Sequence, residues 1–263
     1  KRVIEAINKK QRIGIIADYD VDGSTSASIL YKFLKNFTSS ILLKIPNRLA
    51  DGYGPNIKLM NEMKKNQIDL LFTLDCGTTS ADIIDNEEFN LIDVIVIDHH
   101  LSEIKLPNVF AIINPNRIDD NSNYNHLAAV GVTFLFLIYL RKKLRDLNFF
   151  KEKKAPNLLA YLDLVALGTV CDVVELKKYN RLFVKKGLEL IQKRYHKGIS
   201  KLIDNSKINS LPTSQDLAFV VGPQINAASR IDDSTLASKL LISNDIELID
   251  SISRKLFLLN EKR

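Results

Sequence analysis

The sequence is poor in cysteine: Cys76 and Cys171 are the two in 263 residues. Two thiols make no disulfide framework, and without a cluster of them a structural zinc centre of the thiolate kind is excluded. Each adjoins an acid, Asp75 or Asp172, and both read as small buried side chains. Long apolar runs are missing as well. None reaches the roughly 18 residues that a membrane-spanning helix needs, and no secretory leader opens the chain, so a cytoplasmic protein with no membrane partner is expected. The sequence has no internal repeat and no low-complexity linker, and it begins at Lys1 without a Met, which leads us to expect a fragment. Its length suits one large α/β domain or two small lobes. The net charge of +6 is compatible with a polyanionic substrate and diagnostic of nothing more, while pairs such as Lys64-Lys65 and Lys185-Lys186 read as solvated helix faces.

What is present is a recurring junction of apolar strand and acid. Residues 13–17 run into Asp18, residues 70–74 into Asp75, and residues 94–97 into Asp98. Buried parallel strands end at a common edge, so three carboxylate clusters are expected on one rim of a sheet, where open α/β folds bind ligands. The first cluster, Asp18-Tyr19-Asp20-Val21-Asp22-Gly23, imitates the start of an EF-hand calcium loop. That reading fails, because the twelfth position is Ile29 in place of Glu and the incoming segment is a strand. The third cluster continues into His99 and His100, and Asp172 comes after the apolar run 164–168. Carboxylates and imidazole without thiolates suit Mn²⁺ or Mg²⁺. A lone Asp after a strand is most often a turn or cap residue, so the ligand reading rests on the set and not on any member.

Periodicity extends the pattern. Leu30, Phe33, Leu34 and Phe37 recur at helical spacing after the first acidic loop, residues 41–45 form a further strand ended by Pro46, and residues 56–65 a helix. A last strand over 109–113 ends at Asn114-Pro115. The expected class is α/β, a mostly parallel sheet with helices on both faces, succeeded beyond Leu127 by a mainly helical part. Helices are predicted over 127–143, 157–167 and 180–194, with 151–154 as an exposed charged connection. Residues 222–230 are rich in small and rigid residues and read as a turn, with packing between lobes as the alternative. Asn244 with Glu247 resembles a capping box, opening a helix whose apolar face is Ile249, Ile252, Leu256 and Leu259 and which still runs at Arg263.

The segments DYDVDG, LDCGTTS, VIDHH and ALGTVCDVV resemble, in order, the four motifs of the DHH phosphoesterase superfamily. Within it, IPNRLADGYG, LAAVGVTF and GPQINAASR are similar to segments of the RecJ-type single-strand-specific exonucleases, and the resemblance runs from about Ile13 to the C-terminus. Departures are few: Ala17 and Ser229 stand where Gly is usual, Gln224 where Arg is, and Cys171 where Ala is. None replaces a ligand.

The resemblance implies a DHH catalytic domain over 1–243 and, over 244–263, the start of a helix connecting to a second domain, DHHA1. The Gly-Gly-His motif of that domain does not occur in this sequence, so the terminal apolar face is expected to lose part of its packing. It further implies two metal ions, Mn²⁺ or Mg²⁺, bridged by Asp75, with Asp18 and Asp20 on one and Asp22, His99 and Asp172 on the other. Asp98 would orient an imidazole, and His100 would face the scissile phosphate. Arg48 would hold a 5′-terminal phosphate, and Asn226 and Arg230 the substrate backbone; Tyr53 reads equally as a base-stacking or a core residue. The implied activity is 5′-to-3′ hydrolysis of single-stranded DNA in repair and recombination, alongside repair or replication proteins of unspecified identity. Two alternatives stand beside it: a DHH phosphatase acting on short oligonucleotides or small phosphates, and a non-catalytic DHH-like scaffold. His126 and His196 read as ordinary surface or core residues.

Overall fold

Five apolar segments pair in parallel in the order β2-β1-β3-β4-β5, where β1 is Ile13–Ala17, β2 Ile41–Lys44, β3 Leu70–Leu74, β4 Asp93–Ile97 and β5 Ala111–Ile113. They are seen in a computed structural model that describes residues 1–208, 210–231 and 233–262. Every residue of β1 and β3 is buried, because helices cover both faces of the sheet. Side chains alternate across the strands and divide the core in two. Ile13, Ile15, Phe72 and Ile97 pack with Ile29, Leu30 and Phe33 of α2 (Val21–Leu34), while Ile16, Leu71 and Val96 pack with Leu59, Met60 and Met63 of α3 (Ile57–Lys65). The predicted α/β sheet with helices on both faces is thus found, with β5 shorter than the segment 109–113 foreseen for it.

The strand order reverses between β1 and β3. Connections leave this point in opposite directions, which opens a crevice at the carboxyl ends of the two strands. Asp18 and Asp75 are the residues immediately past those ends.

Beyond the sheet the chain is helical: α5 (Ala129–Asp146), α6 (Leu162–Cys171), α7 (Lys178–Gln192), α8 (Lys197–Asn205), α10 (Gly222–Ile231), α11 (Thr235–Ile242) and α12 (Ile246–Glu261). Before these come α1 (Arg2–Asn8) and the short α4 (Ala81–Ile84), and α9 (Ser214–Asp216) precedes α10. Helix α2 ends at Leu34, so Phe37 lies just past it, its ring 5.3 Å from Phe33. Residues 222–230 are not a turn. A π-helical stretch, Leu217–Val221, leads into α10; Pro223 sits in the first turn, where its missing N–H costs little, and the buried small residues Ala227 and Ala228 serve packing. The cap of α12 is Asp245, whose carboxylate accepts from the N–H groups of Glu247 and Leu248, in place of an Asn244 box. The stripe Ile249, Ile252, Leu256 and Leu259 is buried, with α12 packed on α8 and α10, so the expected loss of packing does not occur. Among the described residues no helix is long and apolar enough to cross a membrane.

Candidate metal centre

Each acid reaches the crevice through its own local structure. The Asp18 N–H continues the sheet ladder by donating to Leu74 O. Asp20 caps α2, its Oδ1 accepting from the N–H of Gly23 at 2.9 Å. Gly23 is required there, because a Cβ would stand 2.4 Å from the carbonyl oxygen of Asp18. Asp22 lies two residues on, in the first turn of α2, and caps a different helix. The first turn of α5 comes after Ala128, which has no side-chain acceptor, and the Asp22 carboxylate takes the N–H groups of Ala129 and Val130 at 2.7 and 2.9 Å. Asp75 leaves β3 with φ of 59°, a left-handed conformation that Asp tolerates better than most residues. Asp172 closes the C-terminus of α6, and Val173 after it is again left-handed at φ 59°.

These groups converge. His99 Nε2 lies 3.4 Å from Asp75 Oδ1, 3.5 Å from Asp172 Oδ2 and 3.9 Å from Asp22 Oδ2. Asp18, Asp20 and Asp75 offer oxygens within 4.8 Å of one another, and so do the ligand atoms of Asp22, His99 and Asp172. Asp18 Oδ1, Asp75 Oδ1, His99 Nε2 and Asp172 Oδ2 are buried with no hydrogen-bond partner. Each such orphan costs roughly 1–3 kcal/mol, and their grouping on either side of Asp75 fits cations that would satisfy them. The donor set, oxygens and one imidazole, fits Mn²⁺ or Mg²⁺. Burial raises the thiols of Cys76 and Cys171, so neither supplies a thiolate.

Electrostatics point the same way. Burial, then the charge of Asp20, pushes Asp18 and Asp22 up to about 7; burial, then Asp22, does the same to Asp172. Asp75 is driven well above the usual carboxylate range by burial and then by Asp22. Asp98 behaves oppositely. Burial alone would raise it, but hydrogen bonds from His100 and Thr78 hold it at about 2. Its Oδ1 lies 2.8 Å from His100 Nδ1, and this contact raises the imidazole, whereas burial lowers His99. Asp98 therefore orients His100. A grouping of His100 with Asp75 and His99 around one ion is geometrically near, yet the Nδ1 of His100 is already committed to Asp98.

The structure thus brings together Asp18, Asp20, Asp22, Asp75, His99 and Asp172, with Asp98 and His100 beside them. Arg48 is exposed, its guanidinium 5.3 Å from the ring of Tyr19, between two of the acids in sequence. Asn226 lies on α10, whose first residue Gly222 abuts the Cys171 thiol, and its Oδ1 is buried without a hydrogen-bond partner. The side chain of Arg230 lies outside the described residues. Gln224 is buried and donates to Ser206 Oγ and Val220 O, which makes it a packing residue. Residues that the sequence pattern did not reveal hold the His99-His100 loop: Asn114 Nδ2 donates to Thr78 Oγ1 and to His100 O, and Asn116 Nδ2 to His99 O. Tyr53, expected to be a base-stacking or core residue, donates its OH to Asp75 O. Thr78 and Asn114 each stand just past the same sheet edge as the acids, which is the signal that could have found them.

Helix α6 delivers Asp172 only because Gly168 lets it approach α2. A Cβ at 168 would stand 2.3 Å from Thr25 Oγ1 and 3.1 Å from Asp22 Oδ1. Gly168→Ala is expected to cost about 1–3 kcal/mol of stability, as overpacked cores do, read as a lower urea midpoint at unchanged slope. An unchanged midpoint would mean that the helices are not pressed together here.

A family model described as the DHH family, N-terminal domain, matches residues 12–169, and the chain belongs to the DHH family. Among curated relatives it is 36% identical over 265 residues to the single-stranded-DNA-specific exonuclease RecJ of Haemophilus influenzae, and 37% identical over 264 residues to that of Escherichia coli. These matches take in 99% and 98% of the chain and 46% of each relative, so the chain spans about half their length. Among solved structures it is similar to exonuclease RecJ bound to manganese (31% identity, TM-score 0.86, 99% of this chain and 64% of that one). It is also similar to RecJ of Thermus thermophilus in complex with Mn²⁺ (29% identity, TM-score 0.84, 99% of this chain and 36% of that one).

Proposed function

We propose that the chain hydrolyses phosphodiester bonds in single-stranded DNA as the metal-dependent catalytic part of a 5′-to-3′ exonuclease of the RecJ type, acting in repair and recombination in the cytoplasm. The observation that carries this reading is the meeting of orphaned carboxylate and imidazole atoms around Asp75. The similarity to RecJ single-stranded-DNA-specific exonucleases supports the choice of substrate, and the RecJ structures with Mn²⁺ and with Mg²⁺ support the choice of ion. Residues 1–243 would be the catalytic domain and 244–263 the start of a connecting helix. Repair or replication proteins are the partner class in keeping with that role.

In this reading Asp18, Asp20 and Asp75 would hold one ion and Asp22, His99 and Asp172 the other, with Asp75 as the residue common to both. When bound, two divalent ions supply a nucleophilic water at neutral pH and offset charge on the phosphoryl oxygens. The remaining steps fall to side chains. His100, its Nδ1 tied to Asp98, keeps Nε2 for proton exchange with the leaving oxygen. Arg48 offers a planar fork to the 5′-terminal phosphate and so sets polarity, while Asn226 and Arg230 hold the backbone further along. Turnover with Mn²⁺ on long single strands, duplex, dinucleotides and pyrophosphate tests the reading. Preference for the long single strand is expected; turnover confined to dinucleotides or pyrophosphate would favour a phosphatase.

Arg48→Ala should weaken use of 5′-phosphorylated strands more than of 5′-hydroxyl strands. A charged hydrogen bond is worth roughly 1.5–3 kcal/mol, or about ten- to a hundredfold in kcat/KM. Equal losses on both strands would assign Arg48 to holding Tyr19 in place.

A further inference from the structure

Tyr53 lies in the loop between β2 and α3, outside every cluster of acids, yet its hydroxyl touches two of them through their neighbours. It donates to the carbonyl oxygen of Asp75 at 2.7 Å and lies 3.1 Å from His100 Nδ1. The proton count fixes the direction of each bond. A carbonyl can only accept, so the phenol proton goes to Asp75 O, and what Tyr53 presents to His100 is a lone pair. Asp98 Oδ1, at 2.8 Å from the same nitrogen, presents another. Two acceptors on one ring nitrogen mean that Nδ1 carries the proton and shares it between them. A phenol ordinarily ionises at about 10, so Tyr53 keeps its proton at neutral pH. The Tyr53 and His100 rings meet edge to face with centroids 5.7 Å apart, a contact that adds to the hold on the imidazole.

The other end of this contact matters as much. Asp75 is a non-glycine residue at φ 59°, a conformation that persists only where its surroundings impose it. Its N–H is taken by Ile97 O, and its carbonyl is the group that Tyr53 holds.

We propose that Tyr53 is a positioning residue, whose one hydroxyl fixes both the left-handed turn at Asp75 and the tautomer and orientation of His100. It thereby keeps the carboxylate shared by the two ion sites and the proton-donating imidazole at a constant separation. The proposal rests on the reading of His100 as the group that protonates the leaving oxygen.

Tyr53→Phe keeps the ring contact and removes the hydroxyl. On a single strand with saturating Mn²⁺, kcat should fall about ten- to a hundredfold with KM unchanged, the scale on which small misplacements of a reacting group are felt. On the p-nitrophenyl ester of thymidine 5′-phosphate, whose leaving group needs no proton, the same variant should lose clearly less, because only the effect through Asp75 remains. In the Mg²⁺-loaded protein the unsubstituted chain should show a slowly exchanging downfield proton of His100 Nδ1 by NMR, and the variant should lose or shift it. Unchanged kcat on the strand, equal losses on both substrates, or an unmoved Nδ1 resonance would each overturn the proposal. His100→Ala run alongside separates this from the underlying reading. If that variant loses equally on both substrates, His100 is not the proton donor, whatever Tyr53 does.

Discussion

Asp75→Asn should lose at least about a thousandfold in turnover on single-stranded DNA, equivalent to about 4 kcal/mol of transition-state stabilisation, while remaining folded. The choice of Asn comes from the backbone. Asp75 sits at φ 59°, and Asn is one of the few residues that enters this region easily, so the variant changes charge without forcing the turn. Ala at the same place would add backbone strain to the loss of the ligand and blur the result. The amide would also remove the negative charge that, in the proposed arrangement, offsets the repulsion between two cations. Calorimetric titration with Mn²⁺ should therefore count two sites in the unsubstituted chain and at most one in the variant. A variant that binds two ions and turns over normally would end the case for a shared carboxylate.

A second large effect is expected from pH in the absence of metal. Asp18, Asp22 and Asp172 lie near 7 in the folded protein, because burial and their mutual repulsion oppose ionisation, against about 4 in an unfolded chain. Between those values the folded state keeps protons that the unfolded state releases. Their contribution to stability is therefore fully present below about pH 4 and is lost as the pH rises through about 7. A loss of about 3 kcal/mol in a chain of this size corresponds to a Tm lower by roughly 10 °C. Metal-free protein should melt at a lower temperature at about pH 7.5 than at about pH 5. Mn²⁺ should restore the difference at the higher pH and do little at the lower, because binding requires the carboxylates to give up their protons. A metal-free Tm that climbs over this interval would mean that the acids are already neutralised by partners within the chain.

Much of this site is legible in the chain because parallel strands impose order on the residues just past their ends. Three runs buried on both faces must end together, and the acids after them fall on one rim without further information. His99 is carried along by adjacency to β4. The helical half is harder. Residues 222–230 resemble a turn because Gly, Pro and Ala are weak evidence for an amphipathic helix, yet buried small residues are what close packing uses. Tyr53, Thr78 and Asn114 escape for a different reason: single polar residues in loops have no period, and their meaning lies in hydrogen bonds to residues 20 or more positions away. The left-handed turn at Asp75 has no signature either, since nothing but the surrounding structure selects it.

The double duty of Asp22 bears on the order in which the molecule is assembled. Its carboxylate faces the other acids from the moment α2 forms, but the amide groups that balance it belong to residues 107 and 108 positions further on. Until α5 docks, this part of the sheet edge is a knot of repelling charges with nothing to hold it shut. The ion-binding centre is then a late event in folding rather than a seed for it, and a nascent chain would gain the complete set of groups for capturing metal only after Asp172, well beyond Val130, has emerged. A substitution at Asp22 meant to silence chemistry would also uncap a helix, so His99 or Asp75 is the position at which chemistry and folding can be separated.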